Sequence, residues 1–319
     1  MITNEICCFE NDFIKNLQLK KSILLHANEN NINIYQEMKM SKTPVEIHYD
    51  ISYEEEKLKL HSHSFYELLL CESGNIQYLI NNKRYNLQKG DILFIPPGIN
   101  HSPIIDKKLS KPYKRIAIWA SKDLVDNILK SYPDFIKDNS YITNNYLVRT
   151  PGTNYEYLCN FFTQGYKESK NKNINWEIII LSNTISLISI LMRIKNEDFQ
   201  YLTSKQNPLF DEIISYIQSN YSKKITLENT AHKFHISQSY LGMLFRDNIK
   251  ISFHNYLQQI RLSKAKTMIE SGVKLNLISS QVGFLDYSSF YRAFKKEYSI
   301  SPSEYRDLSI YSRNNIKFI

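Results

Sequence analysis

The sequence predicts an α+β protein: a β-rich N-terminal domain, a helical segment, and an all-α C-terminal domain with two helix-turn-helix motifs. Three observations carry this. From about residue 45 to 120, short apolar runs recur about every 8–12 residues with turn signals between them, as in a sandwich or barrel. After about residue 121 the apolar spacing becomes helical. In the last third, one helix-turn-helix pattern occurs twice.

The strand-like runs are FYELLLC (65–71), IQYLI (76–80), GDILFI (90–95) and KRIAIWA (114–120). Asn81-Asn82 between two such runs predicts a hairpin. Pro96, Pro97 and Gly98 end the strand before them. Residues 154–169 and 174–195 carry apolar groups at helical spacing. The stretch 176–194, WEIIILSNTISLISILMRI, is long and apolar, but Glu177, Asn183 and several Ser and Thr residues argue for a buried or dimerising helix over a lipid span. TSKQNP (203–208) reads as a linker ending in Pro208. Residues 1–40 are mixed and show no clear element.

At 319 residues the chain is too long for one ordinary core. Its four cysteines, Cys7, Cys8, Cys71 and Cys159, form no CxxC pair, so a disulfide framework or zinc module is excluded and a reducing cytoplasm fits. The N-terminus has no basic start followed by an apolar run, and no signal peptide is expected. Charge is uneven. Residues 1–204 hold 24 Lys and Arg against 23 Asp and Glu, whereas residues 205–319 hold 16 against 9. The surplus implies either a polyanion partner for the last third, most naturally nucleic acid, or a solvated basic face.

The repeat in that third separates the two. The copies are LENTAHKFHISQSYLGMLF (227–245) and LISSQVGFLDYSSFYRAF (277–294). In each, a small residue (Ala231, Ser279) precedes a turn residue (His235, Gly283) by four, and an apolar residue (Ile236, Phe284) follows. Each second helix then offers an anchoring pair, Leu241 with Phe245 and Phe290 with Phe294. The small residue lets two helices cross closely, and the turn position calls for positive φ, which Gly adopts freely and His tolerates. The anchored helix keeps its outer face free for a major groove. Between the copies, FHNYLQQIRLSKAKTMIES (253–271) reads as a connecting helix; its nineteen residues would span roughly 28 Å. That spacing suits two readers in successive major grooves, about 34 Å apart.

Residues 209–306 resemble the DNA-binding module of AraC/XylS-type transcription regulators. The resemblance rests on ITLENTAHKFHISQSYLGMLFRD, the link FHNYLQQIRLSKAKTMI, and the closing VGFLDYSSFYRAFKKEYSISPSEYR, in that order. It implies that base-reading positions are Gln238, Ser239, Gly242 and Met243 in the first copy, and Tyr287, Ser288, Tyr291 and Arg292 in the second. Arg292 would take guanine bidentately. Arg246, Lys295 and Lys296 would meet phosphates, with plain solubility the other reading for Arg246 and Lys295. Met243 and Gly242 depart from the family habit of Arg and a polar side chain, so the first helix would read thymine methyls or shape.

The stretch HSHSFYELLLCESG (61–74) raises a second question. On one unbroken strand His61, His63 and Glu67 would share a face. With GDILFIPPGINH (90–101) it resembles the cupin β-barrel, whose H-x-H-x(3,4)-E-x(6)-G and G-x(5)-P-x-G-x(2)-H stretches meet inside. Ile105 stands where a late Asn is usual. His61, His63, Glu67 and His101 would then line an organic effector's pocket, hold a divalent transition metal, or satisfy one another. Tyr78, Trp119 and Arg84 are further pocket candidates.

The two resemblances together imply a cupin-like effector-sensing domain over residues 1–150, a helical dimerisation segment over 151–200, a linker over 201–208 and a DNA-binding domain over 209–308. The expected protein is a cytoplasmic, homodimeric regulator that an effector switches between two states, with double-stranded DNA and RNA polymerase as partners, no membrane, and activation the commoner family habit. The other reading is a cupin metalloenzyme, a dioxygenase or isomerase, fused to a DNA module. Neither a nucleotide-binding loop nor a Ser/His/Asp arrangement in recognisable context is present. Residues 1–40 would form an arm or lid over the pocket.

Overall fold

In a computed structural model of the chain, residues 40, 43–53, 59–81, 83–105, 111–131, 146–195 and 207–314 are described. The expected arm, residue 82 and most of the linker lie outside them.

Eight strands come first: β1 (Val45–Ser52), β2 (Tyr66–Ser73), β3 (Ile76–Ile80), β4 (Lys83–Leu87), β5 (Ile92–Ile95), β6 (His101–Ile104), β7 (Tyr113–Ala120) and, after helix α1 (Lys122–Ser131), β8 (Leu147–Val148). Among the described residues they form two sheets. One has the order β1-β7-β2-β5-β8 and the other β4-β3-β6. Ile80 pairs with Lys83 across a two-residue turn, and Asn81 there takes φ 53°.

Alternation sorts the side chains. Leu68 and Leu70 of β2, Ile92 and Phe94 of β5, and Ile116 and Ile118 of β7 face the helices. Leu69, Cys71, Leu93, Ile95 and Tyr113 face the smaller sheet, where they meet Tyr78, Ile80 and Tyr85. β2 is buried on both faces and so reads as a continuous apolar run. Ile105, in place of the usual Asn, is buried in this inner core.

Helices α2 (Cys159–Asn171) and α3 (Trp176–Lys195) cover the outer face of the larger sheet. Gly165 allows the approach, because a Cβ there would lie 2.6 Å from Ile47 Cδ1. α3 is long and apolar enough to cross a membrane by length and composition. Here Leu187, Ile188, Leu191 and Ile194 bury one side of it, while Glu177, Ser182 and Arg193 lie on its exposed side.

Among the described residues seven helices follow: α4 (Pro208–Asn220), α5 (Leu227–Lys233), α6 (Gln238–Ile249), α7 (Phe253–Glu270), α8 (Leu275–Gln281), α9 (Tyr287–Tyr298) and α10 (Pro302–Asn314). Pro208, expected to close the linker, is instead the first residue of α4. Its ring suits the first turn, and Asn207 caps the helix by accepting from Phe210 N. The helices hold two cores. Phe210, Ile214, Leu241, Phe245 and Tyr256 build the first; Leu262, Ile278, Phe290, Phe294 and Tyr305 build the second. α7 contributes to both. Leu60, Leu79 and Ile104 of the sheet domain join the first core, so the two parts of the chain share an apolar contact.

Candidate functional site: two reading helices and a buried histidine cluster

The two helix-turn-helix units repeat each other bond for bond. In the first, Ile236 N donates to Ala231 O at 3.0 Å and His235 N to His232 O at 3.1 Å. In the second, Phe284 N donates to Ser279 O at 2.9 Å and Gly283 N to Ser280 O at 3.1 Å. The turn residues are left-handed in both, His235 at φ 54° and Gly283 at φ 87°. Only glycine fits at 283, since a Cβ would lie 2.7 Å from Tyr221 O. Each reading helix starts on a side-chain cap: Ser237 Oγ accepts from Tyr240 N at 3.1 Å, and Asp286 Oδ1 accepts from Ser289 N at 2.7 Å. Leu241, Phe245, Phe290 and Phe294 are fully buried, as their spacing predicts.

The opposite faces are open. Gln238, Ser239, Met243 and Arg246 are exposed on α6, with Gly242 half-buried among them. Tyr287, Ser288, Arg292, Lys295 and Lys296 are exposed on α9, with Tyr291 half-buried. Two more exposed side chains on these faces were not singled out by sequence: Tyr240 on α6, and Leu285, 93% exposed, just before α9. Arg261 on α7 ties the units together, donating to Tyr221 O at 2.8 Å and Lys223 O at 2.9 Å.

The second candidate site lies in the sheet domain. The expected unbroken strand through His61, His63 and Glu67 is absent: β2 begins only at Tyr66, and His61 forms an isolated bridge with His101. The chain turns between them because His63 is tied to the Pro-Pro-Gly loop, with Gly98 N donating to His63 O at 2.8 Å. The result still gathers three of the four expected side chains. His101 Nε2 lies 3.0 Å and His63 Nε2 3.4 Å from Glu67 Oε2, with all three side chains buried. His61 stands beside them, its ring centroid 4.2 Å from that of His101, outside the three converging donors. Trp119 Nε1 donates to Glu67 Oε1 at 3.1 Å, and Tyr78 stacks near His101 at 6.4 Å. Arg84 is not in this pocket. It points to the C-terminal helices, donating to Asn248 Oδ1 at 2.7 Å.

The imidazole orientations decide what the cluster can bind. Carbonyl oxygens accept only, so the Nδ1 of His61, His63 and His101, at 3.1, 2.9 and 2.8 Å from Lys59 O, Phe65 O and Ile99 O, must carry the hydrogen. A ring so fixed aims Nε2 at the cluster: carrying a proton it donates to Glu67, and losing that proton leaves a lone pair for a metal. Burial lowers the pKa of His63, and burial with the nearby His101 ring lowers that of His61 further, which favours neutral rings. Burial opposes ionisation of Glu67, but hydrogen bonds and charge from His101 and His63 outweigh it and hold the carboxyl well below the usual range. The Nε2 atoms of His63 and His101 thus converge on one Glu67 oxygen, at 3.4 and 3.0 Å. Donors of this kind, within 4.8 Å of one another and braced by backbone carbonyls, fit a divalent transition-metal ion.

Fold and site together define a DNA-binding protein that carries a ligand-binding domain. Residues 230–307 match the family model described as a helix-turn-helix domain, and residues 43–163 match that of the AraC-like ligand binding domain. The lactose operon transcription activator of Staphylococcus xylosus is 33% identical over 240 residues, covering 75% of this chain and 82% of that protein. The HTH-type transcriptional activator RhaR of Yersinia pseudotuberculosis is 26% identical over 275 residues, covering 82% and 88%. The Msm operon regulatory protein of Streptococcus mutans is 25% identical over 241 residues, covering 73% and 81%. The chain belongs to the AraC family of transcription regulators; it is a regulator and not an enzyme. The metalloenzyme reading is thereby set aside.

Proposed function

We propose that the chain is an effector-responsive transcription activator whose sensing domain is a cupin-like barrel. The two duplicated helix-turn-helix units carry this reading. Their back faces are buried and capped, so each presents one exposed strip to DNA. Gln238, Ser239, Gly242 and Met243 read the first half-site, chiefly through apolar contact with thymine methyls. Tyr287, Ser288, Tyr291 and Arg292 read the second, with Arg292 on guanine. Arg246, Lys295 and Lys296 hold phosphates. Activation is supported by two relatives that are transcription activators, and would involve RNA polymerase. The domain limits proposed are 1–150, 151–200, 201–207 and 208–308, the linker stopping short of Pro208 because that residue opens α4. Pairing of two chains through α2 and α3 is supported by two exposed side chains, Ile174 in the turn before α3 and Ile178 in its first turn. A DNA regulator works in the cytoplasm, and α3 then serves as a packing helix, without a membrane.

The effector pocket is the inner face of the larger sheet. At one end the cluster of His63, Glu67 and His101 holds a divalent transition metal, which when bound would supply a fixed positive centre for an effector's donor atom. Farther along the same face, the buried Tyr113 hydroxyl and Arg115 Nη1 have no hydrogen-bond partner. They favour an organic effector carrying acceptor oxygens, either beside the metal or alone. The test is to measure salt-dependent binding to duplexes selected from a random pool, and metal content of the purified chain by mass spectrometry. Salt-sensitive, sequence-selective binding that Arg292→Ala weakens is expected; equal binding to all duplexes would refute the regulator reading.

A further inference from the structure

The loops that carry the cluster are the same loops on which the DNA-binding unit rests. Ser62 lies between His61 and His63, and Asn100 lies next to His101. Ser62 Oγ is 3.0 Å from Ser263 Oγ, and Ser263 Oγ in turn donates to Asn100 Oδ1. Ser263 has one hydroxyl proton and spends it on Asn100, so Ser62 is the donor to Ser263. Lys266 Nζ donates to Ser62 O at 3.3 Å, and Leu60 N donates to Gln259 Oε1 at 3.2 Å. Gln259, Ser263 and Lys266 share one side of α7, at helical spacing. Ser62, Ser263, Lys266 and Asn100 are all buried.

The two loops are also bonded to each other. His61 N donates to His101 O at 3.1 Å, and His101 N donates to His61 O at 2.9 Å. A force on either histidine therefore moves Ser62 and Asn100 together. Among the described residues α7 is the one helix that enters both helix-turn-helix cores, so its seat fixes both readers at once.

We infer that α7 and the His61–His63 and Asn100–His101 loops form a latch, in which filling the cluster tightens the seat of α7 and so sets the placement of both reading helices. This rests on the metal reading of the cluster. The donors already converge in the docked arrangement, so an ion favours it, and by linkage the docked arrangement favours the ion.

The test uses the metal-stripped full chain and Co(II) as probe, read by optical absorption, with amide exchange across 256–267 as a second readout. Co(II) is expected to slow exchange in α7 of the unaltered chain. The pair Ser263→Ala and Lys266→Ala touches no cluster donor and should weaken Co(II) binding by roughly tenfold. Ser280→Ala, on α8, should leave it unchanged. If Co(II) binds but α7 exchange does not move, or the paired variant binds Co(II) as tightly as the unaltered chain, the latch is wrong and the metal reading stands. If the unaltered chain binds no Co(II), the metal reading falls and takes the latch with it. The exchange experiment needs no variant, so a misfolded variant cannot shield the inference.

Discussion

Ser62 and Ser263, 201 residues apart in sequence, lie with their hydroxyl oxygens 3.0 Å apart and buried. One sits between two histidines of the sensing domain. The other sits midway along the helix that joins the two readers. The distance between the ligand cluster and the DNA-reading machinery is thus short, and it is spanned by hydrogen bonds that a small shift can make or break.

Reading of guanine by α9 predicts a specific loss. Arg292→Ala should cost about 1–3 kcal/mol at one base position and relax specificity there. Lys295→Ala or Lys296→Ala should weaken binding to all duplexes alike and lower the slope of log affinity against log salt by about one. Fluorescence anisotropy across a salt series, on matched and substituted duplexes, distinguishes the two behaviours.

The two turns predict different responses to substitution. His235 adopts φ 54°, a conformation that costs a β-carbon residue some strain. His235→Gly should therefore be near neutral in thermal unfolding, relief of strain offsetting the entropy glycine adds to the unfolded chain. Gly283→Ala should be clearly destabilising, because the new methyl meets Tyr221 O at 2.7 Å and Ser222 O at 2.9 Å.

Phe245 is fully buried among Phe210, Phe253 and Tyr256, with ring centroids 5.2, 5.4 and 5.7 Å away. Phe245→Ala should cost about 3–5 kcal/mol in denaturant unfolding and impair DNA binding through the fold, with no change of base preference in the protein that remains folded.

The cap of α9 predicts a pH dependence. Hydrogen bonds from the Ser289 amide and hydroxyl hold the Asp286 carboxyl below its ordinary 3.8. A depressed carboxylate stabilises the folded state above the unfolded value, and that stabilisation is lost as pH falls through the folded one. The stability gap between the unaltered chain and Asp286→Asn should be constant near neutrality and shrink below about pH 4. Acid titration followed by circular dichroism reads this directly.

Much of this was legible in the sequence, for identifiable reasons. The anchors Leu241, Phe245, Phe290 and Phe294 follow from helical spacing, and the turns from one Gly and one His. The run through β2 was legible as a strand because both its faces are apolar. The path through His61 and His63 was not. Alternation assumes continuous strand, and the bond from Gly98 that turns the chain comes from a loop 35 residues on. Arg84 looked like a pocket residue because the sheet's partner, α6, leaves no mark on the strand. The seat of α7 was invisible for the same reason. Ser62, Asn100 and Ser263 are small polar residues whose pairing depends wholly on how two distant cores meet.

Sensing and DNA reading are tested together by the affinity of the full chain for a duplex selected from a random pool, against a scrambled duplex of the same composition, in the metal-stripped and Zn(II)-loaded states. Tighter binding to the selected duplex is expected, by at least about a thousandfold, the lower range of specific regulators. Zn(II) is expected to shift that affinity severalfold, and Glu67→Gln to abolish the shift. Equal affinity for both duplexes, or an affinity that ignores Zn(II) while Zn(II) is bound, would contradict the proposed function.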